Sequence, residues 1–322
     1  MGFDTVVAPA SRETLQAAKT NGLHVIASVS GDERGRIESV RNHPALRAWY
    51  LFDEPDLHRV SPSNVARLNS KLHELSRKPT MVVLMSGNSV EKYRDTADLI
   101  GVDWYPVPWA PVTTVAREMR LARLAARERP FYAILQAFDW KNFPELLRTN
   151  TPLRPPTSEE MRCMTYLALT QGASGLLFYT YQSERWNIRE RPELWNSLTD
   201  LVGEVRLNAP IFAHRVLWWP SDTEFHGAPS EMYNEIMEAR VLVSLYEVKK
   251  PDGAVRPGYY IVAVNSSGSP ADFSFRLPFE GEISFETSCK SSEIVVTEDL
   301  VRKTYAPFEV CIFGPISARL SE

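Results

Sequence analysis

Hydrophobic positions in the first two thirds of the chain fall in short, nearly unbroken runs. They read "FDTVVAP" (3–9), "LHVIASV" (23–29), "AWYLFD" (48–53), "TMVVLM" (80–85), "DLIGVDW" (98–104), "FYAILQ" (131–136) and "GLLFYTY" (175–181). Apolar runs of this length that do not alternate are the mark of parallel strands covered on both faces. Between them lie amphipathic segments with start and stop signals. Ser61-Pro62 offers an N-cap and a first-turn proline before "SNVARLNSKLHELS". Thr157 and Glu160 form a capping box ahead of "MRCMTYLALTQ", with Gly172 as the stop, and Gly22 closes "RETLQAAKTN" in the same way.

A strand–helix unit recurring roughly every 20 to 45 residues, without a Gly-rich phosphate loop, predicts a TIM-type (β/α)8 barrel rather than a doubly wound sheet. Only seven such strands are legible, and a closed barrel of this class needs eight. The expectation is that the first β–α unit is missing, which would leave residues 3–9 as an exposed edge strand; the alternative is a misread strand around 209–219. From 209 onward the pattern changes to short, partly alternating segments: "ARVLVSLYEVKK", "GYYIVAVNSS", "ADFSFRLP", "ISFETSC", "SEIVVTE" and "FEVCIFGP". Turn residues break them, which predicts an antiparallel β-sandwich. The expected organisation is a barrel over 1–208 and an accessory sandwich over 209–322, with "NAPIFAHRVLWWPSD" as hinge and first strand and Trp218 and Trp219 as interface packing.

Composition narrows the function classes. The 322 residues are 44% hydrophobic and 24% charged, ordinary values for a globular protein. A net charge of -4 makes no electrostatic case for nucleic acid or an anionic membrane as partner. No apolar run approaches the ~20 residues of a membrane span. "GFDTVVAP" after Met1 lacks the basic and apolar regions of a secretion signal, so localisation stays open, with secretion expected only if the start is truncated. Cys163, Cys289 and Cys311 have no CxxC spacing; free, mostly buried thiols are expected, with a Cys289–Cys311 bridge as the alternative. Asn265-Ser266-Ser267 matches a glycosylation pattern that is common by chance. The six histidines show no ligand spacing, so neither a metal nor another cofactor is expected.

In a barrel of this kind the reacting groups sit where the strands end. The third run ends in Asp53-Glu54-Pro55, and the fifth in Asp103, Trp104 and Tyr105. The sixth ends in Gln136 and then Phe138, Asp139 and Trp140; the seventh in Tyr179, Tyr181, Gln182, Glu184 and Trp186. Buried strands do not normally finish on two adjacent carboxylates, because desolvating either one costs several kcal/mol, on the order of 2–7 for even a neutral polar group. Acids, amides and aromatics on one rim suit a carbohydrate: rings stack on sugar C–H faces, and carboxylates serve the acid and nucleophile or base roles of glycoside hydrolysis. Simpler roles stand beside this one. Asp53 could cap a helix or pair with an arginine, Asp103 could be a buried ion-pair partner, and Asp139 and Glu184 could be solvated loop charges. Tyr179 and Tyr181, two apart on one strand, are expected to point the same way.

The segments "HPALRAWYLFDEPD", "ADLIGVDWYP", "AILQAF" and "MTYLALTQGASGLLFYTY" resemble the glycoside hydrolase TIM-barrel superfamily, in particular bacterial glycosidase-like barrels with a DEP motif and a C-terminal β-sandwich. The resemblance spans residues 3 to about 207. In the large retaining clan an Asn-Glu pair ends the fourth strand and its Glu is the acid/base. With one strand missing upstream, Glu54 falls on that role, and the seventh-strand nucleophile falls on Gln136, an amide that cannot serve. Three readings follow. Another acid supplies the second carboxylate (Asp103, Asp139 or Glu184); or Asp53 and Glu54 support substrate-assisted hydrolysis of an N-acetylated sugar, with Tyr105 or Tyr181 on the acetamido oxygen; or the barrel binds sugar without catalysis. The resemblance implies catalytic Glu54, Asp53 and Asp103 and a substrate surface of Trp104, Tyr105, Gln136, Trp140, Tyr179, Tyr181 and Glu184.

Overall fold

A computed structural model describes residues 2–29, 34–147, 149–214, 216–217, 240–280, 283–289, 294–297 and 299–320. Seven parallel strands lie in one sheet in the order of the chain: β1 (Thr5–Pro9), β2 (His24–Ser28), β3 (Leu46–Asp53), β4 (Thr80–Leu84), β5 (Leu99–Trp104), β6 (Phe131–Gln136) and β7 (Gly175–Tyr179). A monotonic order is that of a (β/α) barrel; a doubly wound sheet would reverse direction partway. Strands β4, β5 and β6 are almost wholly buried, as is the apolar centre Val25–Ala27 of β2, in line with their apolar runs. β1 and β7 end the order and are only partly covered, with Val7 40% exposed. The expected edge strand near the start is therefore present.

The chain divides into two compact units. The first comprises Met1–Trp104 and Leu121–Ile134. Here α1 (Arg12–Thr20), α2 (Arg34–Val40) and α3 (Pro62–Leu75) follow the first three strands, and the short α4 (Val90–Tyr93) follows β4. Ser11 and Ser61 accept from the amides of Thr14 and Asn64 in the first turns of α1 and α3, and Gly22 adopts φ 68° just past the end of α1. Leu15, Ala18, Ile37, Val40 and Leu72 of the helices pack on Val25, Ala27, Leu46 and Trp49 of the sheet. Gly101 in β5 has no room for a side chain: a Cβ there would lie 2.7 Å from Ile134 Cδ1 and 2.8 Å from Met81 Cε. Close approach of neighbouring side chains, not a turn, explains this glycine.

The second unit comprises Tyr105–Arg120 and Leu135–Glu322, with α5 (Thr114–Ala126) shared between the two. α6 (Ser158–Thr170) carries the expected capping box between Thr157 and Glu160, and Gly172 follows its end with φ 94°. α7 (Pro192–Phe212) runs well past the expected boundary, so the segment read as a hinge begins as helix; Leu217 then donates its amide to Leu245, and Trp218 and Trp219 lie outside the described residues. β7 also stops at Tyr179, and the chain continues into a small hairpin of β8 (Gln182–Ser183) and β9 (Trp186–Asn187).

The C-terminal segment forms antiparallel sheets. One runs β10 (Val241–Val248), β11 (Gly258–Asn265), β16 (Val310–Ile316); another runs β12 (Ala271–Arg276), β15 (Leu300–Tyr305), β14 (Val295–Thr297); a third pairs β13 (Phe279–Glu280) with β17 (Arg319–Leu320). Val243, Leu245 and Ile261 of the first sheet share a core with Phe275, Val301 and Tyr305 of the second. "ISFETSC" forms no strand beyond a single bridge from Thr287 to Phe313, because its backbone serves the edge of β16 at separate points. Cys289 and Cys311 are joined in a disulfide, correcting the expectation of free thiols, and Cys163 is the buried free one. A core that brings the two cysteines' Cα atoms to 4.6 Å makes the bond possible; spacing in sequence does not reveal it. Asn265 is wholly buried and its amide donates to the carbonyls of Ser269 and Ala306, so the glycosylation pattern is closed to modification in the folded chain. Among the described residues no helix is long and apolar enough to cross a membrane.

Candidate active site

The carboxylates gather at the end of β3, in the first unit. Pairing of β3 with β4 slips by one residue: Tyr50 faces Met81, but Phe52 faces Val82 and Asp53 faces Val83. Leu51 is thus an extra residue, a bulge. Without it, Tyr50 and Asp53 would point to opposite faces of the sheet. With it, the Tyr50 hydroxyl donates to Asp53 Oδ1 at 2.5 Å. The Tyr50 phenol is pushed above its ordinary range by burial first, and then by the negative charges of Asp53, Asp103 and Glu54. It therefore stays protonated and remains a donor.

Glu54 continues the ladder, its amide donating to Val83 O at 2.8 Å, yet it adopts φ 45°. For a residue with a side chain this left-handed conformation is strained, and such strain collects at functional sites. The turn is secured on both sides: His58 N donates to Glu54 O, Met85 N donates to Asp56 Oδ1, and Tyr93 Oη donates to Val60 O. The half-buried Glu54 side chain is hydrogen-bonded to Asp103 of β5, which is itself buried. A hydrogen bond between two carboxyl groups needs one proton, and because this bond lowers the Glu54 carboxyl, Asp103 is its donor. Burial raises the Glu54 carboxyl above its ordinary value, opposed by the Asp103 hydrogen bond; the charges of Asp53 and Asp56 add to the rise, and His58 opposes it. Among the described residues no arginine or lysine forms an ion pair with Asp53 or Glu54, and neither residue caps a helix.

The aromatic residues form their own cluster in the second unit. Tyr105 stacks with Tyr179 at 5.7 Å, Phe138 meets Trp140 at 4.8 Å and Tyr179 at 5.5 Å, and Phe143 packs on Phe138. Trp140 Nε1 donates to Tyr105 O. Tyr179 is 39% exposed, so the cluster offers ring surface to solvent. Trp104 ends β5 and is half-buried. Gln136 is 0% exposed and its amide is committed: Oε1 accepts from Val107 N, while Nε2 donates to Val107 O and Phe138 O. It clamps the backbone beneath the cluster and presents no group to a sugar. Asp139 is buried and caps the turn that follows it by accepting from Lys141 N. Tyr181 does not share the cluster with Tyr179, because β7 has ended; its ring lies against Trp195 of α7 at 5.5 Å. Glu184 is exposed in the hairpin turn. Sequence reading missed Tyr50, Asp56 and Phe143. The bulge that re-aims Tyr50 leaves no mark in the pattern, whereas the aromatic run around Phe143 could have been extended to include it.

Among the described residues, the one group of side chains spaced to hold a metal is Cys289, Glu309 and Cys311, where the two sulfurs are bonded to each other. No family model matches the sequence, and no curated protein matches it in sequence. Solved structures do resemble the fold. An Anoxybacillus α-amylase matches with TM-score 0.54 at 8% identity, over 94% of this chain and 78% of that one. A Paenibacillus barengoltzii pullulanase, crystallised with maltohexaose and α-cyclodextrin, matches with TM-score 0.51 at 11% identity, over 94% and 60%. A β-galactosidase from Bacillus circulans sp. alkalophilus matches with TM-score 0.51 at 10% identity, over 64% and 52%, so the chain spans only about half of it. At such identities the likeness is one of fold alone, a curled parallel sheet with helices followed by antiparallel sheets.

Proposed function

We propose that this chain hydrolyses O-glycosidic bonds with Glu54 as general acid, residues 1–208 carrying the chemistry and 209–322 serving as an accessory domain. The observation that carries the reading is a half-buried carboxyl at a barrel strand end, strained in its backbone and raised in pKa by burial. A general acid must hold its proton near working pH; burial and the charges of Asp53 and Asp56 act in that direction, and they outweigh the opposing Asp103 hydrogen bond. Asp103 is a poor candidate for the nucleophile. Retaining enzymes separate their carboxyl groups by about 5–5.5 Å to admit the anomeric carbon, and directly hydrogen-bonded groups leave no such space. Asp139 caps a turn and Glu184 is exposed, which leaves Asp53 as the second group.

Substrate assistance by an N-acetylated sugar therefore fits best. Glu54 gives its proton to the glycosidic oxygen as the acetamido oxygen of the substrate attacks the anomeric carbon. Asp53, held by Tyr50, orients the acetamido N–H. Water then opens the cyclic intermediate, its proton passing to the Glu54 carboxylate. The competing reading is a sugar-binding barrel without catalysis, favoured by the commitment of Gln136 to backbone groups at the place where the resemblance expects a nucleophile.

Turnover of aryl N-acetylhexosaminides and of the matching aryl hexosides tests both. Wild type is expected to prefer the acetamido substrates, and Glu54→Gln to lose at least about 100-fold, the lower end of what acid–base catalysis contributes. Equal, near-zero rates for wild type and variant would select the binding reading. Equal rates on both substrate classes, still lost in Glu54→Gln, would remove substrate assistance and keep the acid.

A further inference from the structure

The second unit contains a cavity of about 400 Å³ that none of Asp53, Glu54 and Asp103 lines. Its volume is within the roughly 300–1,000 Å³ of small-molecule sites. One wall is the loop 107–113 after β5, rich in proline and valine; the others bring Arg154 and Glu160 from the start of α6 and Arg240, Ser267 and Phe308 from the C-terminal sheets. Charge in the lining does not balance. Arg154 is neutralised by Glu160 through two hydrogen bonds of 2.7 Å. Arg240 is exposed and its guanidinium has no partner among the described residues, so the lining carries one uncompensated positive charge.

The wall around Arg240 is built rather than loose. Its carbonyl accepts from both the amide and the hydroxyl of Ser266. Buried Asn265 ties the turns on either side together, donating to Ser269 O and Ala306 O and accepting from the amide and hydroxyl of Ser267. Phe308 N donates to Ser267 O, which anchors its backbone beside the same turn. Gly268 lies against the Phe308 ring, the place of a Cβ being 3.4 Å from Phe308 Cζ. Fixed polar groups on a rigid support are the property of a binding site. The Ser267 hydroxyl keeps acceptor capacity for a ligand donor.

We propose that this cavity binds a sugar ring carrying one anionic substituent, a carboxylate or a sulfate, with Arg240 on the anion and Phe308 and the loop prolines against the ring. The requirement for an anion stands on the unbalanced charge; the choice of a sugar as its carrier rests on the glycosidase reading.

Calorimetric titration of the full chain with methyl glucuronide, glucose 6-sulfate and methyl glucoside tests it. Either anionic sugar is expected to bind about tenfold or more tightly than the neutral one, the worth of a charge-assisted hydrogen bond. Arg240→Ala should abolish that preference, Arg240→Lys should restore part of it, and Glu54→Gln should leave it intact. Which anionic sugar binds more tightly identifies the substituent. Equal affinity for all three in wild type, or an unchanged preference in Arg240→Ala, overturns the proposal. Displacement of the sugar by sodium acetate at equal concentration overturns the sugar and leaves an anion site. Aryl glycoside turnover in the same variants separates the two readings. Turnover without anionic preference defeats only the cavity, and preference without turnover defeats only the hydrolase.

Discussion

Glu54 concentrates three costs in one residue: a left-handed backbone, partial burial of a carboxyl, and negative neighbours at Asp53 and Asp56. Stability is not what such an arrangement serves, and the consequence can be signed. The folded chain holds this proton more tightly than an unfolded chain would at the ordinary value of 4.5. The side chain therefore opposes folding once pH rises above that value, and the penalty vanishes below it. Glu54→Gln cannot ionise, and its amide can still hydrogen-bond to Asp103. Its melting temperature should exceed that of wild type at about pH 7 and approach it at about pH 4, as a pH series of thermal melts would measure. A uniform shift at both pH values, or a loss at neutral pH, would mean that the carboxyl is not held as described.

At the level of elements, the sheet works because its inner strands are apolar on both faces and one position in β5 gives way. Gly101 makes room for the side chains of Met81, Val83 and Ile134, all within 3.0 Å of where its Cβ would stand. Gly101→Ala should destabilise the fold by about 1–3 kcal/mol, the cost of overpacking a closed interior. Urea denaturation would read this as a lower midpoint at unchanged slope. An unchanged or raised midpoint would show that the neighbouring side-chain ends move aside freely. The bulge at Leu51 acts at the same scale, since one inserted residue changes which side chains of β3 share a face with Asp53.

Across the whole molecule, the C-terminal sheets are joined to the last α/β elements of their unit by polar as well as apolar contacts. Arg162 of α6 pairs with Glu204 of α7 at 2.8 Å and donates to Val310 O of β16; Tyr246 of β10 packs on Phe212 of α7. The disulfide ties Cys289 to β16 across a separation of 22 residues. Closing a loop of that size stabilises by about 3 kcal/mol on the chain-entropy account. Reductant should therefore lower the denaturation midpoint of wild type and leave Cys289→Ser unaffected. Equal behaviour of the two would show that the thiols are unpaired in solution.

The alternation of apolar runs with capped helices was legible in the sequence, down to the capping box at Thr157 and the count of seven strands, because those signals arise from residues close along the chain. Asp53 and Glu54 were legible for a related reason: paired charge at the end of an apolar run stands out locally. What surrounds them was not. The Tyr50–Asp53 bond depends on a slip against β4, and the hydrogen bond between Glu54 and Asp103 depends on β3 and β5 each pairing with the strand between them. Gln136 reads as a site residue from its position and proves to be a backbone clamp, since only packing decides whether an amide faces a cleft or the core. Local periodicity specifies elements, whereas the partners of a polar side chain are set by distances between segments that meet only after folding.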